Sequence, residues 1–246
     1  MLLDMLLKEL RTAVLDANLE LVKRGLVLYT FGNASGIDRE LGLVVIKPSG
    51  VDYDDLRPEH MVVTDLNGKI VEGTLKPSSD LDTHTLLYRE FAGIGGVVHT
   101  HSEFATSFAQ AGLAIPALGT THADYFYGPV PCTAPLTDEA IGGRYVHETG
   151  LAIVARFAAN PEGPNGPAHA AIDPLAVPTC LVAGHAPFAW GTDAHDAAHN
   201  AVVLEAVARM AYRTLTLKAD ADVVTQALLD RHYFRKHGAG ATYGQG

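Results

Sequence analysis

The sequence predicts an α/β fold in which helices cover a sheet of mixed or largely antiparallel pairing. Three observations lead there. Short β-branched runs bounded by glycine interleave with stretches of helical periodicity, which is the pattern of a helix-covered sheet. Asn67-Gly68 separates two such runs and is the strongest short-range hairpin signal, so part of the sheet is antiparallel. No G-x-G-x-x-G or P-loop follows a strand, which argues against a doubly wound nucleotide fold.

In chain order, apolar residues from Leu3 through Leu10, Val14 and Leu15 to Val22 recur every three to four positions and predict an amphipathic helix over 2–24, stopped at Gly25. Leu26 to Phe31 and Leu43 to Ile46 read as strands, and Met61–Leu66 with Lys69–Val71 as the hairpin. Ser79 is the expected N-cap, and Asp82 its capping-box partner, of a helix over Leu81 to Phe91. Val97 to His101 is a strand, followed by a helix from Ser102 to about Ala111 that Gly112 closes. Thr137-Asp-Glu opens a helix interrupted at Gly142-Gly143 and reaching Phe157. The Pro/Gly run after Asn160 is a surface excursion rather than a domain boundary, because Thr179 to Ala183 returns to a strand with Phe188-Ala-Trp190 pairing beside it. Helices over Asp193–Lys218 and Asp222–Lys236 precede a glycine-rich end over 238–246.

Composition narrows the function. A chain of 246 residues can bury a core without staples, and one domain suffices. With 48% hydrophobic residues, a mean hydropathy of +0.11 and no apolar run of the roughly 20 residues a span needs, no membrane role is expected. Asp4 stands where a secretory signal would carry basic residues, so the cytoplasm is the expected location. Cys132 and Cys180 lack the spacing of a disulfide framework or a thiolate zinc site, so any metal falls to histidine and carboxylate. A formal net charge of −10 argues against nucleic acid, while leaving room for a local phosphate pocket.

His99-Thr100-His101 is the pattern richest in chemistry. Side chains two apart on a strand share a face, roughly 6.5–7 Å apart, close enough for two imidazoles to converge on one ion. A catalytic zinc takes three protein ligands, so the pair asks for more. His185, closing the strand Cys180-Leu-Val-Ala-Gly-His, is the first candidate. Asp80, at a helix start where the dipole alone would favour a carboxylate, and His84 one turn later are both open as a further ligand. His195 and His199 stand i, i+4 on a helix without the following Glu of a zincin, and read as surface residues. Gly32-Asn33, Lys47-Pro-Ser49-Gly50 and Ser78-Ser79 are polar small-residue turns of the kind that hold phosphate, and together they point to a phosphorylated small molecule. The stretch Thr120-Thr-His-Ala-Asp124-Tyr-Phe-Tyr-Gly128 is dense in groups suited to proton transfer.

Taken with Gly32-Asn-Ala-Ser35, Ile46-Lys-Pro-Ser-Gly-Val-Asp-Tyr53, Lys76-Pro-Ser-Ser-Asp80, Gly184-His-Ala-Pro-Phe-Ala-Trp-Gly191 and His232-Tyr-Phe-Arg-Lys-His-Gly238, these motifs resemble the class II aldolase/epimerase family across almost the whole chain. The zinc histidines fit any member, whereas the 120–128 stretch and the Tyr243-Gly-Gln end look epimerase-like. The resemblance implies a single-domain three-layer α/β/α sandwich with a mixed, largely antiparallel central sheet, and a role in carbohydrate metabolism such as arabinose catabolism. It implies a Zn2+ site, or one for another divalent metal, of Asp80, His99, His101 and His185. Gly32, Asn33, Lys47, Ser49, Gly50, Ser78 and Ser79 would contact a small phosphorylated ketose, with Thr120, His232 and Arg235 assisting. Asp124 and Tyr243 would be the acid/base pair, the tail over 238–246 reaching a neighbouring subunit's site in a homotetramer with active sites at subunit interfaces. The implied reaction is the reversible epimerisation of L-ribulose 5-phosphate to D-xylulose 5-phosphate by retroaldol cleavage and re-addition at C3–C4.

The alternatives are a class II aldolase that releases its aldehyde, a zinc hydrolase, and a non-enzymatic zinc or sugar-phosphate binder. Aldolase relatives resemble this chain with Glu at the position of Asp80, and the shorter Asp suits a ligand rather than a base. Two departures stand out: Val146 where the familiar epimerases carry an acid, with Glu148 or His147 as substitutes for any ion pair made there, and a longer segment over 161–178.

Overall fold

A computed structural model describes residues 5–160, 169–238 and 240–242. Its elements are α1 (Lys8–Lys23), β1 (Asn33–Asp38), β2 (Leu43–Ile46), β3 (Val62–Asp65), β4 (Ile70–Glu72), α2 (Leu81–Glu90), β5 (Gly96–His99), α3 (Glu103–Gln110), α4 (Thr120–Ala123), α5 (Asp138–Gly142), α6 (Tyr145–Phe157), β6 (Thr179–Leu181), β7 (Pro187–Gly191), α7 (Ala194–Leu217) and α8 (Gln226–Phe234). The strands form one seven-stranded sheet in the order β4-β3-β2-β1-β5-β7-β6. Each neighbouring pair is antiparallel, so the expected mixture of directions is replaced by an antiparallel sheet. The parallel contact that remains is an isolated bridge between Cys132 and Leu181 at the sheet margin.

Helices lie on both faces, giving the three layers. Val14, Ala17 and Leu21 of α1 and Ala194, Ala197 and Ala201 of α7 pack with Ala34, Val45, Val63 and Val98 on one side. Leu87 and Tyr88 of α2 and Ile153 and Phe157 of α6 pack with Ile37, Val44, Val97 and Trp190 on the other. A third cluster joins α3, the second half of α7 and the segment from Ile115 to Val130. Arg11, 1% exposed, ties α1 to the sheet edge through Leu6 O at 2.8 Å, Met61 O and Glu72.

Three expectations give way. Leu26 to Phe31 is no strand: Leu26 and Val27 are buried, Leu28, Tyr29 and Phe31 are exposed, and Tyr29 turns through φ 50°. The strand is instead the polar, small-residue run Asn33-Ala-Ser-Gly-Ile-Asp38, which β propensity disfavours but its position requires. It sits mid-sheet under α1, where a Cβ on Gly36 would come within 2.8 Å of Leu10 Cδ1, and Asn18 of α1 bonds both the N–H and the C=O of Ala34. Second, Asp80 rather than Ser79 occupies the N-cap of α2, without a side-chain cap bond, because its carboxylate is taken by Asn33 at 2.7 Å; Asp82 bonds Arg144 at 3.1 Å. Third, the final helix starts at Gln226, capped by Thr225, not at Asp222, and β5 stops at His99, short of His101. The breaks at Gly142-Gly143 and the caps of α5 and α7 by Thr137 and Asp193 fall where the spacing places them.

Across β1, β5 and β7, Gly36, Gly96 and Gly191 are paired in register. A Cβ on Gly96 would lie 2.2 Å from Asp193 O and 2.6 Å from Ala194 Cα, backbone that no rotamer can move aside. Gly96→Ala is therefore expected to cost about 3 kcal/mol or more of stability, read from urea denaturation; a loss under half that would mean α7 is not held against β5 at this point.

Candidate metal centre and active site

His99 ends β5, and its Nδ1 lies 3.0 Å from Pro187 O on β7, with the ring stacked on Phe188 at 4.2 Å between centroids. A carbonyl only accepts, so Nδ1 carries the proton and Nε2 keeps the lone pair that a metal needs. His101 Nε2 is 3.2 Å from it. His185, in the turn between β6 and β7, brings its ring to 4.9 Å from His99 and 5.1 Å from His101. Each of the three offers a ligand atom within 4.8 Å of the others, the one such grouping among the described residues. His185 Nδ1 is buried and has no partner among the described residues. Burial lowers all three imidazole pKa values, that of His99 to about 3, so the rings are neutral, which is the ligand form. The donor set fits a divalent transition metal.

Asp80 lines the same cavity but stands outside that cluster of histidines. Desolvation is the largest influence on its pKa and pushes it up; attraction to a protonated His99, His84 or His185 and the Asn33 hydrogen bond prevail and lower it, so a proton entering this group of residues goes to a ring before it goes to Asp80. The cavity, about 560 Å³, is also walled by Gly32, Asn33, Lys47, Ser49, Gly50, Ser78 and Ser79, so each of the three turns singled out in the sequence opens onto the histidines. The last two turns are laced together, Ser49 N–H donating to Lys76 O and Ser78 N–H to Lys47 O, both at 2.9 Å. Gly32 takes φ 75° where the chain crosses His99; a Cβ there would meet Val27 Cγ1 at 2.7 Å and His99 O at 2.9 Å. Lys47 is 2% exposed, its ammonium 3.2 Å from Val51 O and 4.7 Å from the Tyr53 ring centre. Burial lowers its pKa and Asp52 partly opposes that, so the cavity wall holds a cation bonded to neutral carbonyls.

Thr120, Asp124, His232 and Arg235 lie elsewhere: none lines this cavity. Asp124, after α4, accepts from Arg235 Nε at 3.0 Å and Nη2 at 2.8 Å and from His232 Nδ1 at 3.0 Å, with Lys236 Nζ 3.7 Å away. His237 Nε2 donates to the Asp124 carbonyl at 3.0 Å. Thr120 opens α4 and is exposed. These bonds dock α8 on α4. Tyr243 lies outside the described residues. The expected site thus divides into a metal-and-phosphate half and an acid/base half within one chain.

His84, open in the sequence as a ligand, is wholly buried and bonded to Ser35 instead. His195 and His199 are exposed on α7, as expected of surface residues. Val146 makes its contact through its carbonyl, which accepts from Thr83 Oγ1 at 2.5 Å, and the ion pair beside it is Arg144–Asp82 rather than one with Glu148 or His147. Sequence reasoning missed Thr30 and Phe31 on the cavity wall and the Ser35–His84–Tyr88 chain behind it. Phe31 is hidden inside an expected strand, and Ser35 within a motif whose glycine and asparagine carry the stronger signal.

Residues 12–212 match the family of the class II aldolase and adducin N-terminal domain. The chain belongs to that family. It is 50% identical, over 239 residues spanning 97% of this chain and 100% of the relative, to the L-ribulose-5-phosphate 4-epimerase UlaF of Salmonella paratyphi A (strain ATCC 9150 / SARB42), and equally to that of Salmonella typhi. Among solved structures it is similar to an L-fuculose 1-phosphate aldolase, with a TM-score of 0.73 at 22% identity over 92% of this chain and 95% of that one. The L-fuculose-1-phosphate aldolase of Thermus thermophilus gives 0.63 at 23% identity over 87% and 98%. At these identities the structures establish the class II aldolase fold.

The Asp124 contacts predict a pH signature. Desolvation, the largest influence, raises its pKa, but the bonds from Arg235 and His232 and the charge of Lys236 prevail and lower it. A carboxylate with a depressed folded pKa stabilises above its unfolded value of about 3.9 and loses that contribution as pH falls through the folded pKa. The stability difference between wild type and Asp124→Asn should be constant near pH 7 and shrink below about pH 4 in urea titrations; a pH-independent difference would refute the ion-pair account.

Proposed function

We propose that the chain is a zinc-dependent sugar-phosphate epimerase interconverting L-ribulose 5-phosphate and D-xylulose 5-phosphate, with Asp80, His99, His101 and His185 as ligands. The observation that carries this reading is one cavity that joins three neutral imidazoles and a carboxylate to three phosphate-type turns and a buried lysine, in a chain half identical over its length to proteins named as that epimerase. A divalent ion held by these residues would supply Lewis-acid chemistry for the negative charge that develops on the ketose fragment as C3–C4 breaks. Lys47 and the turns at Gly32-Asn33, Ser49-Gly50 and Ser78-Ser79 hold the phosphate, so that the two-carbon aldehyde stays bound while it turns its face. Asp124, kept anionic, accepts the C4 hydroxyl proton, and the electron pair of the C3–C4 bond passes to the ketose fragment. After re-addition from the other face, Tyr243 returns a proton to the new C4 oxygen. The old and new hydroxyls lie on opposite sides, which is why two groups are needed.

Because Asp124, His232 and Arg235 do not line the cavity of their own chain, we place them, with Thr120 and Tyr243 of the 238–246 tail, at the site of a second copy in a homotetramer of single-domain subunits. The acidic net charge and the absence, among the described residues, of a helix able to cross a membrane support a cytoplasmic enzyme whose partners are a small phosphorylated ketose and its own copies. The alternative is a class II aldolase, which shares this fold and differs in releasing the aldehyde.

Zinc-loaded protein incubated with L-ribulose 5-phosphate should yield D-xylulose 5-phosphate; free glycolaldehyde phosphate without xylulose product would establish the aldolase instead. Lys47→Met should raise KM roughly 10–100-fold, the value of a charge-assisted bond to phosphate, with a smaller effect on kcat. Mixing inactive Asp124→Asn with inactive His99→Ala chains should restore activity by re-forming intact shared sites, and mixtures that stay dead would sink the shared site. Tyr243→Phe should depress turnover with zinc content unchanged.

A further inference from the structure

His84 is the buried group that the proposed chemistry leaves without a task. It lies on α2 one turn after Asp80, with its N–H donating to the Asp80 carbonyl at 3.1 Å, and none of it reaches solvent. Its Nδ1 is 2.8 Å from Ser35 Oγ, which is itself 2.8 Å from Tyr88 OH, while Nε2 is buried with no partner among the described residues. A dead-end imidazole nitrogen beside a polar cavity is costly to keep and asks for a partner.

The protons in this chain can be counted. Ser35 Oγ is the acceptor within reach of the Tyr88 hydroxyl among the described hydrogen bonds. If Tyr88 donates to Ser35 and Ser35 donates to His84 Nδ1, every hydroxyl proton is placed, and a neutral ring must carry its own proton on Nε2. Reversing the direction strands the tyrosine proton. Asp80 is the carboxylate whose charge acts on His84, and Asn33 already occupies Asp80 Oδ2, leaving the group able to accept one more donor while it binds a metal.

We infer that His84 is a positioning residue for the metal centre, held by Tyr88 and Ser35 as the Nε2–H tautomer and serving the Asp80 carboxylate as its second outer donor beside Asn33. The two side chains share no hydrogen bond in the structure, and the inference assigns their contact to the metal-loaded protein. The inference rests on the reading of Asp80 as a metal ligand. Outer donors of this kind change metal affinity by about 10–100-fold.

The test is zinc competition with a chromogenic chelator on purified wild type, Asp80→Asn, His84→Phe, His84→Gln, Tyr88→Phe and the Tyr88→Phe/His84→Phe double variant, with the absorption spectrum of the cobalt form as a second readout. His84→Phe should weaken zinc about 10–100-fold, Tyr88→Phe less but in the same direction, and the double variant no more than His84→Phe. His84→Gln, which keeps a donor, should recover part of the loss, and Tyr88→Phe should shift the cobalt spectrum. Should His84→Phe fail to fold, Tyr88→Phe, which removes only a hydroxyl, decides. Wild-type zinc affinity in Tyr88→Phe and His84→Phe alongside a loss in Asp80→Asn, or losses that simply add in the double variant, would overturn the inference. Wild-type affinity in Asp80→Asn would overturn the ligand reading and the inference with it.

Discussion

The row of glycines Gly36, Gly96 and Gly191 across β1, β5 and β7 is the constraint on which the remaining geometry depends. Without side chains there, α1 and the first turn of α7 settle directly on sheet backbone, and the helix layer is fixed in height as well as direction. Three residues further along the same strands, the register row is Asn33, His99 and Phe188. His99 of the candidate metal cluster, the amide that holds Asp80 and the ring on which His99 stacks are therefore positioned by strand pairing that the glycines lock, rather than by loops. A site that must hold ligand nitrogens within a fraction of an ångström gains most from such rigid support.

The electrostatics of the cavity follow from burial acting on opposite kinds of group. Desolvation strips protons from His99, His101 and His185, which makes them ligands, and weakens the hold of Lys47 on its proton, while it would protonate Asp80 were the surrounding groups not there to prevent it. A lysine among neutral carbonyls and neutral imidazoles with one carboxylate, on the wall of one cavity, suit a ligand with an anionic group and neutral hydroxyl and carbonyl oxygens. A free dicarboxylate or a peptide would leave one set of these groups unmatched.

Much of this was legible in the sequence, for identifiable reasons. Asn67-Gly68 marked a hairpin because the chain reverses there through a loop of Leu66, Asn67 and Gly68 in which Gly68 takes φ 80°, and the periodicity of α1 and α7 survives because each buries one stripe against the sheet. The turns at 32–33, 47–50 and 78–79 stood out as small polar residues at strand and helix ends, and they meet on the wall of one cavity. What escaped was set by packing at long range. Asn33-Ala-Ser-Gly is a strand because α1 leaves no room above it, a fact held in Leu10, Val14 and Asn18 more than in the strand itself. Leu26 to Phe31 has strand composition but spends it on a turn, with two residues buried and three facing out. Asp80 is drawn from ordinary capping by Asn33, 47 residues away, which no local motif encodes.

The separation of Asp124 from the metal cavity is the feature that sequence order most conceals. In a motif reading, Thr120, Asp124, His232 and Arg235 join the histidines as one constellation, yet in the folded chain Asp124, His232 and Arg235 form a tight ionic cluster of their own, with Arg235 making two bonds to the carboxylate and His237 a third to its backbone. Such a cluster does more than dock α8 on α4. It holds an anionic oxygen fixed by Arg235 and His232 within the folded chain, so the carboxylate is preorganised and any task it performs needs no rearrangement of its own partners.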